Sequence, residues 1–474
     1  PPVPPTPPPI NDVDWSPPED HNETPLGPNT FNASNLGQVF GIARDDADPP
    51  NIYVTATSVY GAFAAGPAGY GAVYRIDGAT HAICVLATLP NSGPALGNIC
   101  YASEHDALFV SNLEDGLIHR IPIDGTCTPA GPITTFDHGA AGRPAAGFSA
   151  IADAGSLNTY TELGRRVWAV EDHAGRLFYS VWWENVGRVN NTEANEIWSV
   201  ALDGSGMPIP GTTQRELQMP PRSGLVSNPV SDINFNSAGE MLVSERTMYS
   251  PNNPDYPNEF GDRGLLHIGW RPAHSARLMK FSGTVGGPWI TSNEFRVGSF
   301  SVGENSAGGA TIICGDKPWA TGDALHFGSS TGHSDVVYGL QLIDPAGNVT
   351  DSPYTLNSVL IGLGPGNGFA KTEIGDVESW CPCPAEGEGE GEGEGEGEGE
   401  GEGEGEGEGE PCDKIAETKC VAGIPDQFDP TNGPEVSTPS TALLNSVTCA
   451  AGPLTIFDRT PDAQCFVHTF MQCC

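Results

Sequence analysis

Apolar runs of four to seven residues, rich in Val, Ile, Tyr, Phe and Trp, alternate along residues 37–380 with clusters of Gly, Asn, Asp and Pro. Short runs bounded by turn formers predict β-strands. No helical period persists beyond a turn or two, so the expected fold class is all-β. The runs also recur in a fixed order. VFGIARD (39–45), GNICYAS (97–103), RRVWAVED (165–172) and SDINFNS (231–237) are strands of one kind. Each is followed by a second kind: NIYVTAT (51–57), ALFVSN (107–112), RLFYSVW (176–182) and EMLVSER (240–246). A third kind ends in a turn at Asp-Gly or Ser-Gly: GAVYRIDG (71–78), GLIHRIPIDG (116–125), NEIWSVALDG (195–204) and ARLMKFSG (276–283). GATIICGD, PWATGDAL and VVYGLQLID (309–316, 318–325, 336–344) form a degenerate fifth copy.

A unit of three or four antiparallel strands repeated every 50 to 75 residues predicts a β-propeller. One such sheet cannot bury both of its faces, so the copies must pack around an axis. Five copies are clear, and the region around 354–379 with an N-terminal strand is the candidate for a sixth blade. A pair of β-sandwiches, the alternative architecture, gives no reason for the recurring order of strand types. The tryptophans and tyrosines inside strands, Trp168, Trp198 and Tyr179, are expected in the core between blades. Tyr60, Tyr70, Trp182, Trp183, Trp270 and Trp289 sit near strand ends, where an exposed ring could stack on a sugar.

The segments outside the repeat have a different composition. Residues 1–9, PPVPPTPPP, hold seven prolines and predict polyproline II within an extended arm, 1–36. Residues 386–410 are a strict Glu-Gly alternation with thirteen glutamates, which predicts an extended linker over 381–410. Residues 411–474 remain as a small C-terminal module. The whole 474-residue chain carries 21 Lys and Arg against 60 Asp and Glu, a net charge of −39. That balance excludes nucleic acid as a partner, because phosphate binding needs clustered cations. Only five residues are lysine, so there is no polybasic patch for an anionic membrane. No run of 18 apolar residues exists to span one.

Twelve cysteines are present, and eight fall in the last 94 residues: Cys381, Cys383, Cys412, Cys420, Cys449, Cys465, Cys473 and Cys474. Such density in a small tail predicts disulfides and an oxidising, extracellular compartment. Zinc is disfavoured because the tail holds no C-x-x-C pair and a single histidine, His468. Eight cysteines allow 105 pairings, and the spacing selects none. The chain begins at Pro1 without a charged-then-apolar leader, as a mature exported chain does after its signal peptide is removed. Asn22, Asn32, Asn190 and Asn348 head N-x-S/T triplets and are glycosylation candidates.

The wording of GNICYASEHDALFVSNLEDGLIHRI and SDINFNSAGEMLVSERTM resembles β-propeller repeats of the NHL and SMP-30/gluconolactonase type. The resemblance covers about 340 residues and lies in the grammar of the repeat. In the lactonase-like branch it implies a divalent cation on the axis, calcium being the candidate here, held by side chains of the innermost strands. The matching positions are Asn98 in G-N-I and Asp232 in S-D-I. The acidic ligand implied for the first blade is missing from Val39–Ala43. Asp323 and Asp376 also lie beside inner-strand candidates, though Asx residues at strand starts equally serve as turn caps. The Glu-Gly run followed by a cysteine-rich tail resembles the modular ends of bacterial surface proteins.

No nucleophile motif appears: Gly147–Ile151 approaches G-x-S-x-G but lacks the second glycine. No histidine pair has H-x-x-x-H spacing, and His326 and His333 are seven apart across a Gly-Ser loop. Asp45, Asp46 and Asp48 lack EF-hand spacing and read as a hairpin loop. The expected function is therefore that of a non-enzymatic extracellular structural protein. It would self-associate through its terminal segments into a filament or coat. The alternatives are a surface propeller that binds glycans or another ligand, and a metal-dependent, lactonase-like hydrolase.

Overall fold

In a computed structural model the described residues are 33–37, 39–57, 66–93, 95–138, 161, 164–183, 194–220, 226–249, 275–298, 302–313, 316–327, 336–343, 372–380, 412–421 and 465–473. They form the expected all-β propeller, preceded by one helical turn, α1 (Ala33–Leu36). Blade 1 is β1 (Val39–Arg44), β2 (Ile52–Ala56), β3 (Ala72–Ile76) and β4 (Ile83–Thr88). Blade 2 is β5 (Leu96–Ala102), β6 (Ala107–Asn112), β7 (Leu117–Pro122) and β8 (Thr134–Asp137). Blade 3 is β9 (Arg166–His173), β10 (Arg176–Trp182), β11 (Glu196–Ala201) and β12 (Gln214–Gln218). A two-stranded ribbon, β13 (Val226–Ser227) with β16 (Met248–Tyr249), flanks blade 4. That blade is β14 (Val230–Phe235), β15 (Met241–Glu245), β17 (Leu278–Ser282) and β18 (Ile290–Phe295). Blade 5 is β19 (Ser306–Ile313), β20 (Lys317–Phe327) and β21 (Val336–Leu342).

A further three-stranded sheet closes the ring, ordered β22 (Thr372–Trp380), β23 (Cys412–Val421) and β24 (Cys465–Cys473). Strand β22 touches β19 on one side and β1 on the other. The innermost strands β1, β5, β9, β14, β19 and β22 thus follow one another around the axis. Two strands from within 411–474 are part of this sheet. The Glu-Gly run accordingly connects neighbouring strands of one sheet. The arm over 1–32, the linker 381–411, and Asn22, Asn32, Asn190 and Asn348 lie outside the described residues. So do Cys381, Cys383, Cys449 and Cys474.

Burial falls off radially, which explains the strand types read from sequence. Strands β5 and β6 are buried along almost their whole length, whereas β4, β8, β12 and β18 alternate with exposed positions. An inner strand packs on both faces and so reads as a continuous apolar run. An outer strand keeps one edge and part of a face in water, and charged or polar residues there protect that edge. The core is consequently divided into layers between blades. Tyr53, Val73, Ile99 and Leu108 join blade 1 to blade 2. Phe109, Ile118, Val170 and Tyr179 join blade 2 to blade 3. Phe178, Ile233, Val243 and Met279 join blade 3 to blade 4. Trp319, Leu340 and Val377 seat the closing sheet on blade 5. Outside these layers, a disulfide joins Cys84 on β4 to Cys127, beyond β7 in blade 2, with Cα atoms 5.9 Å apart.

One irregularity recurs in every sheet around the axis. The register between the innermost strand and its neighbour slips at Val39/Ile42, Leu96/Ile99, Val230/Asp232, Ser306/Ala310 and Ile374/Val377, and between β9 and β10 at Tyr179/Val181. A bulge takes backbone amides out of the ladder, and they need other partners. A hydroxyl on the second strand supplies one. Ser111 Oγ accepts from Asn98 N at 3.0 Å, Ser180 Oγ from Ala169 N at 2.9 Å, and Thr321 Oγ1 from Gly309 N at 2.9 Å. The same hydroxyls donate to a carbonyl of the next innermost strand: Ser111 to Trp168 O, Ser180 to Val230 O at 2.7 Å, and Thr321 to Gly375 O at 3.0 Å. Thr55 donates likewise to Gly97 O at 3.0 Å, and Ser244 Oγ meets Ser306 Oγ at 2.8 Å. One hydroxyl per blade thus satisfies a bulged amide and ties its blade to the next.

Ser180→Ala should strand both the Ala169 amide and the Val230 carbonyl in a buried site. A loss of about 1–3 kcal/mol is expected, as for any unsatisfied buried polar group. Urea denaturation should register it, while removal of the exposed Thr126 hydroxyl should leave the midpoint unchanged.

Candidate functional site: the axial polar cluster

The bulges also set which residues reach the axis. The corresponding positions around the ring are Gly41, Asn98, Ala169, Asp232, Gly309 and Asp376, so small residues alternate with polar ones. The alternation has a steric cause. A Cβ at Gly41 would stand 2.8 Å from both Asn98 Oδ1 and Thr55 Oγ1, and one at Gly309 would stand 2.5 Å from Asp376 Cα. The small residues therefore make room for the polar side chains of adjoining blades.

Asn98, Asp232 and Asp376 are all buried. Each first satisfies the amide that follows it: Asn98 Oδ1 accepts from Ile99 N at 2.7 Å, Asp232 Oδ1 from Ile233 N at 2.8 Å, and Asp376 Oδ1 from Val377 N at 2.8 Å. The second carboxylate oxygen crosses to the next blade. Asp232 Oδ2 accepts from Ala310 N at 2.7 Å, and Asp376 Oδ2 from Ile42 N at 3.2 Å. Those two amides follow Gly309 and Gly41, which have no side chain of their own to satisfy them. Asn98 Nδ2 reaches across the axis to Asp232 Oδ1 at 3.0 Å and to Ser231 O at 3.1 Å.

The structure thus brings Asn98 and Asp232 together, as the sequence suggested, and adds Asp376. The proposed calcium fits them poorly. A cation between Asn98 and Asp232 would face the Asn98 amide N–H, a donor. Both oxygens of Asp232 already accept hydrogens. Among the described residues no three His, Cys, Asp or Glu side chains are grouped to hold a metal ion. Asp323 lies on β20 with its side chain outside the described set, as are the side chain of His326 and all of His333.

What the axis does hold is protons. Burial pushes the Asp232 carboxyl up to about 7, and it is hydrogen-bonded to Asp376. Burial, and then the Asp232 charge, hold Asp376 well above the usual carboxylate range. Two further carboxyls lie two residues along the innermost strands from axial positions, which places them on the same side of their strands. Burial raises Glu378 to about 8, with the Asp232 charge adding to the shift and Arg44 opposing it. Burial likewise drives Glu171 well up, followed by the charges of Glu378 and Asp232. Interacting carboxyls of this kind titrate as a group rather than singly. Neither glutamate stood out in the sequence, because nothing local marks a strand glutamate as axial. The only available signal was its two-residue offset from the axial position.

The candidate aromatic platforms are placed differently. Trp168, Trp198 and Tyr179 are buried, as expected. Trp183 is buried too, its Nε1 donating to Glu196 at 3.0 Å, and Trp289 donates to Glu216 at 3.0 Å. Trp182 is buried beneath the Arg166 guanidinium. None of these rings offers a free face for a sugar. Tyr70 is half-buried, and Tyr60 and Trp270 lie outside the described residues. Asp45 caps the β1–β2 loop, accepting from Asn51 N at 2.8 Å and Tyr53 Oη at 3.0 Å.

No protein-family model matches the chain, and no curated protein matches it. Solved structures similar to it include a nidogen/laminin complex: 11% identity over 67% of this chain and 80% of that one, TM-score 0.37. A gluconolactonase from Xanthomonas campestris is 10% identical over 79% of this chain and 88% of its own, TM-score 0.36. A calcium-binding protein, regucalcin, from Agrobacterium tumefaciens is 12% identical over 69% and 77%, TM-score 0.34. At this identity the likeness is one of fold.

Two outcomes follow from the axis. Its carboxyls have folded-state values raised above their unfolded ones, so the native state holds extra protons between about pH 4 and about pH 8. Stability contributed there is present at low pH and is lost as pH rises, by about 1.4 kcal/mol per pH unit for each extra proton. Thermal melting followed from pH 5 to pH 8 should fall, and Asp376→Asn should flatten that fall. Chelator should leave the melting temperature of the wild-type chain unchanged, since a cation bound only by the folded state would have raised it.

Proposed function

We infer that the chain is a non-enzymatic extracellular structural protein whose propeller is a bead in a self-associating array. The observation that carries this reading is the topology of the closing sheet. Neighbouring antiparallel strands need a connection of only a few residues. Here β22 and β23 are joined by 31 residues, including the Glu-Gly run, and β23 and β24 by 43 residues. Successive antiparallel strands run in opposite directions, so these two connections leave the sheet at opposite ends. One sheet of the propeller therefore presents a long acidic segment toward one face and a second long segment toward the other.

Chain of that length contributes nothing to sheet pairing, and its placement suits contact with other molecules. Thirteen glutamates on every copy repel one another, which disfavours joining like segment to like. A contact between opposite faces is heterologous, and unless its rotation closes a ring it propagates as a filament. The axial hydrogen bonds support the non-enzymatic half of the reading: Asn98, Asp232 and Asp376 spend their polar atoms on holding blades together. Neutralisation of the glutamate run by calcium is the part in which a cation enters. The oxidising compartment rests on the cysteine-rich tail and on the Cys84–Cys127 bond.

Sedimentation velocity of the full chain over a range of concentrations, in calcium-containing buffer, tests this. Concentration-dependent oligomers, or filaments in electron micrographs, are expected. A variant with residues 386–410 replaced by a short Gly-Ser turn should remain folded and monomeric. Wholesale removal of 411–474 is not an equivalent test, because it strips β23 and β24 from the closing sheet. A full-length chain that stays monomeric at every concentration would overturn the assembly reading in favour of a ligand-binding propeller.

A further inference from the structure

Four tail cysteines lie on β23 and β24, and the register pairs them. Along the ladder Cys412 stands opposite Cys473, and Cys420 stands opposite Cys465. The geometry points to two cross-strand disulfides, Cys412–Cys473 and Cys420–Cys465, that rivet the last strand of the chain to the closing sheet at both ends.

Three features carry the assignment. Directly opposed residues of an antiparallel pair have Cα atoms about 4.5 or 5.5 Å apart, and both values fall within the 4.4–6.8 Å window of a disulfide. Cys412 and Cys420 are eight positions apart, as are Cys465 and Cys473. An even offset puts both pairs at equivalent positions on one face of the ladder. The chain also already makes one bridge of this kind of spacing, Cys84–Cys127.

The location supplies a reason. Strand β24 is the outer edge of its sheet, with β23 as its one ladder partner. It is reached through a connection of 43 residues, whose closure carries an entropic cost. An edge strand so placed frays readily unless it is tied down. Bridges at both ends of the ladder hold β24 in register and fasten the base of the 422–464 connection. Each forms as two thiols release two protons and pass two electrons to a disulfide donor such as oxidised glutathione, whose own S–S bond is reduced to two thiols. The mixed disulfide is the intermediate, and no other redox partner is needed.

The assignment holds whether or not the protein assembles. Its test is a peptide map of the full chain, with free thiols alkylated and no reductant added. Trypsin cuts after Lys414 and Lys419, chymotrypsin after Phe466 and Phe470, and glutamyl endopeptidase after Glu410, so each of the four cysteines falls in its own peptide. Two linked species are expected: the peptide of Cys412 with that of Cys473, and the peptide of Cys420 with that of Cys465. Cys474→Ser removes the ambiguity of the adjacent residue. In parallel, tryptic nicking after Arg459 should leave residues 460–474 attached on a non-reducing gel and release them on reduction. Alkylated Cys412 or Cys420, or either one linked to Cys381, Cys383, Cys449 or Cys474, would overturn the assignment.

Discussion

The propeller depends on one small interaction made over and over: a hydroxyl on the second strand of a blade, placed between its own bulged amide and a carbonyl of the next innermost strand. Strands that converge on an axis cannot keep a regular ladder to their ends. Each sheet slips register there, and amides are left without partners. Water cannot serve them, because these positions are buried. Ser111, Ser180 and Thr321 each accept from such an amide and donate forward to the neighbouring sheet. The defect in one blade thereby becomes the fastening to the next. Apolar layers between blades supply most of the attraction, but they are non-directional. The hydroxyls are what specify how far each blade slides against the next.

The axial carboxylates extend the same logic by one step. Asp232 and Asp376 each take the amide after themselves and the amide of the following blade, where glycine leaves a gap. Crowding two carboxyls and two nearby glutamates into a dry axis would be prohibitive if all were charged. The protein resolves this by keeping protons on them. A protonated carboxyl can donate as well as accept, so the axis becomes a hydrogen-bonded plug rather than a cluster of unpaired charge. Glu196 shows the other solution, off the axis: it takes the indole N–H groups of Trp183 and Trp198 and the guanidinium of Arg215.

The closing sheet has a different character. Blades 1 to 4 are each drawn from a nearly continuous stretch of chain, so their strands meet after short connections. The last sheet gathers three strands separated by 31 and 43 residues. Ring closure therefore waits on the final residues of the chain, and the strand least able to hold itself by local pairing lies farthest from the axis. Segments that pattern alone assigns to a linker and a separate module are in fact fastened to the propeller at both ends.

Much of the architecture was legible in the residues themselves. The recurring order of strand types predicted the blades, and continuous apolar runs against alternating ones predicted which strands lie inside. Both follow from local rules, period two and burial on one face or two, that act on neighbouring residues. Asn98 and Asp232 were legible as axial because they sit at the same point of the repeat. The Ser/Thr that ends V-T, V-S, Y-S and A-T in the second strands was visible too, but its meaning was not. A hydroxyl has no local signature until the bulge beside it and the carbonyl of the next blade are both in place. The burial of Trp183 and Trp289, the elevation of Glu171 and Glu378, and the recruitment of 412–421 and 465–473 into the closing sheet were decided by the tertiary structure alone. Each depends on atoms brought together across the ring from distant parts of the chain. Only closing the ring decides which carboxyls lose their water and which strand fills the last gap.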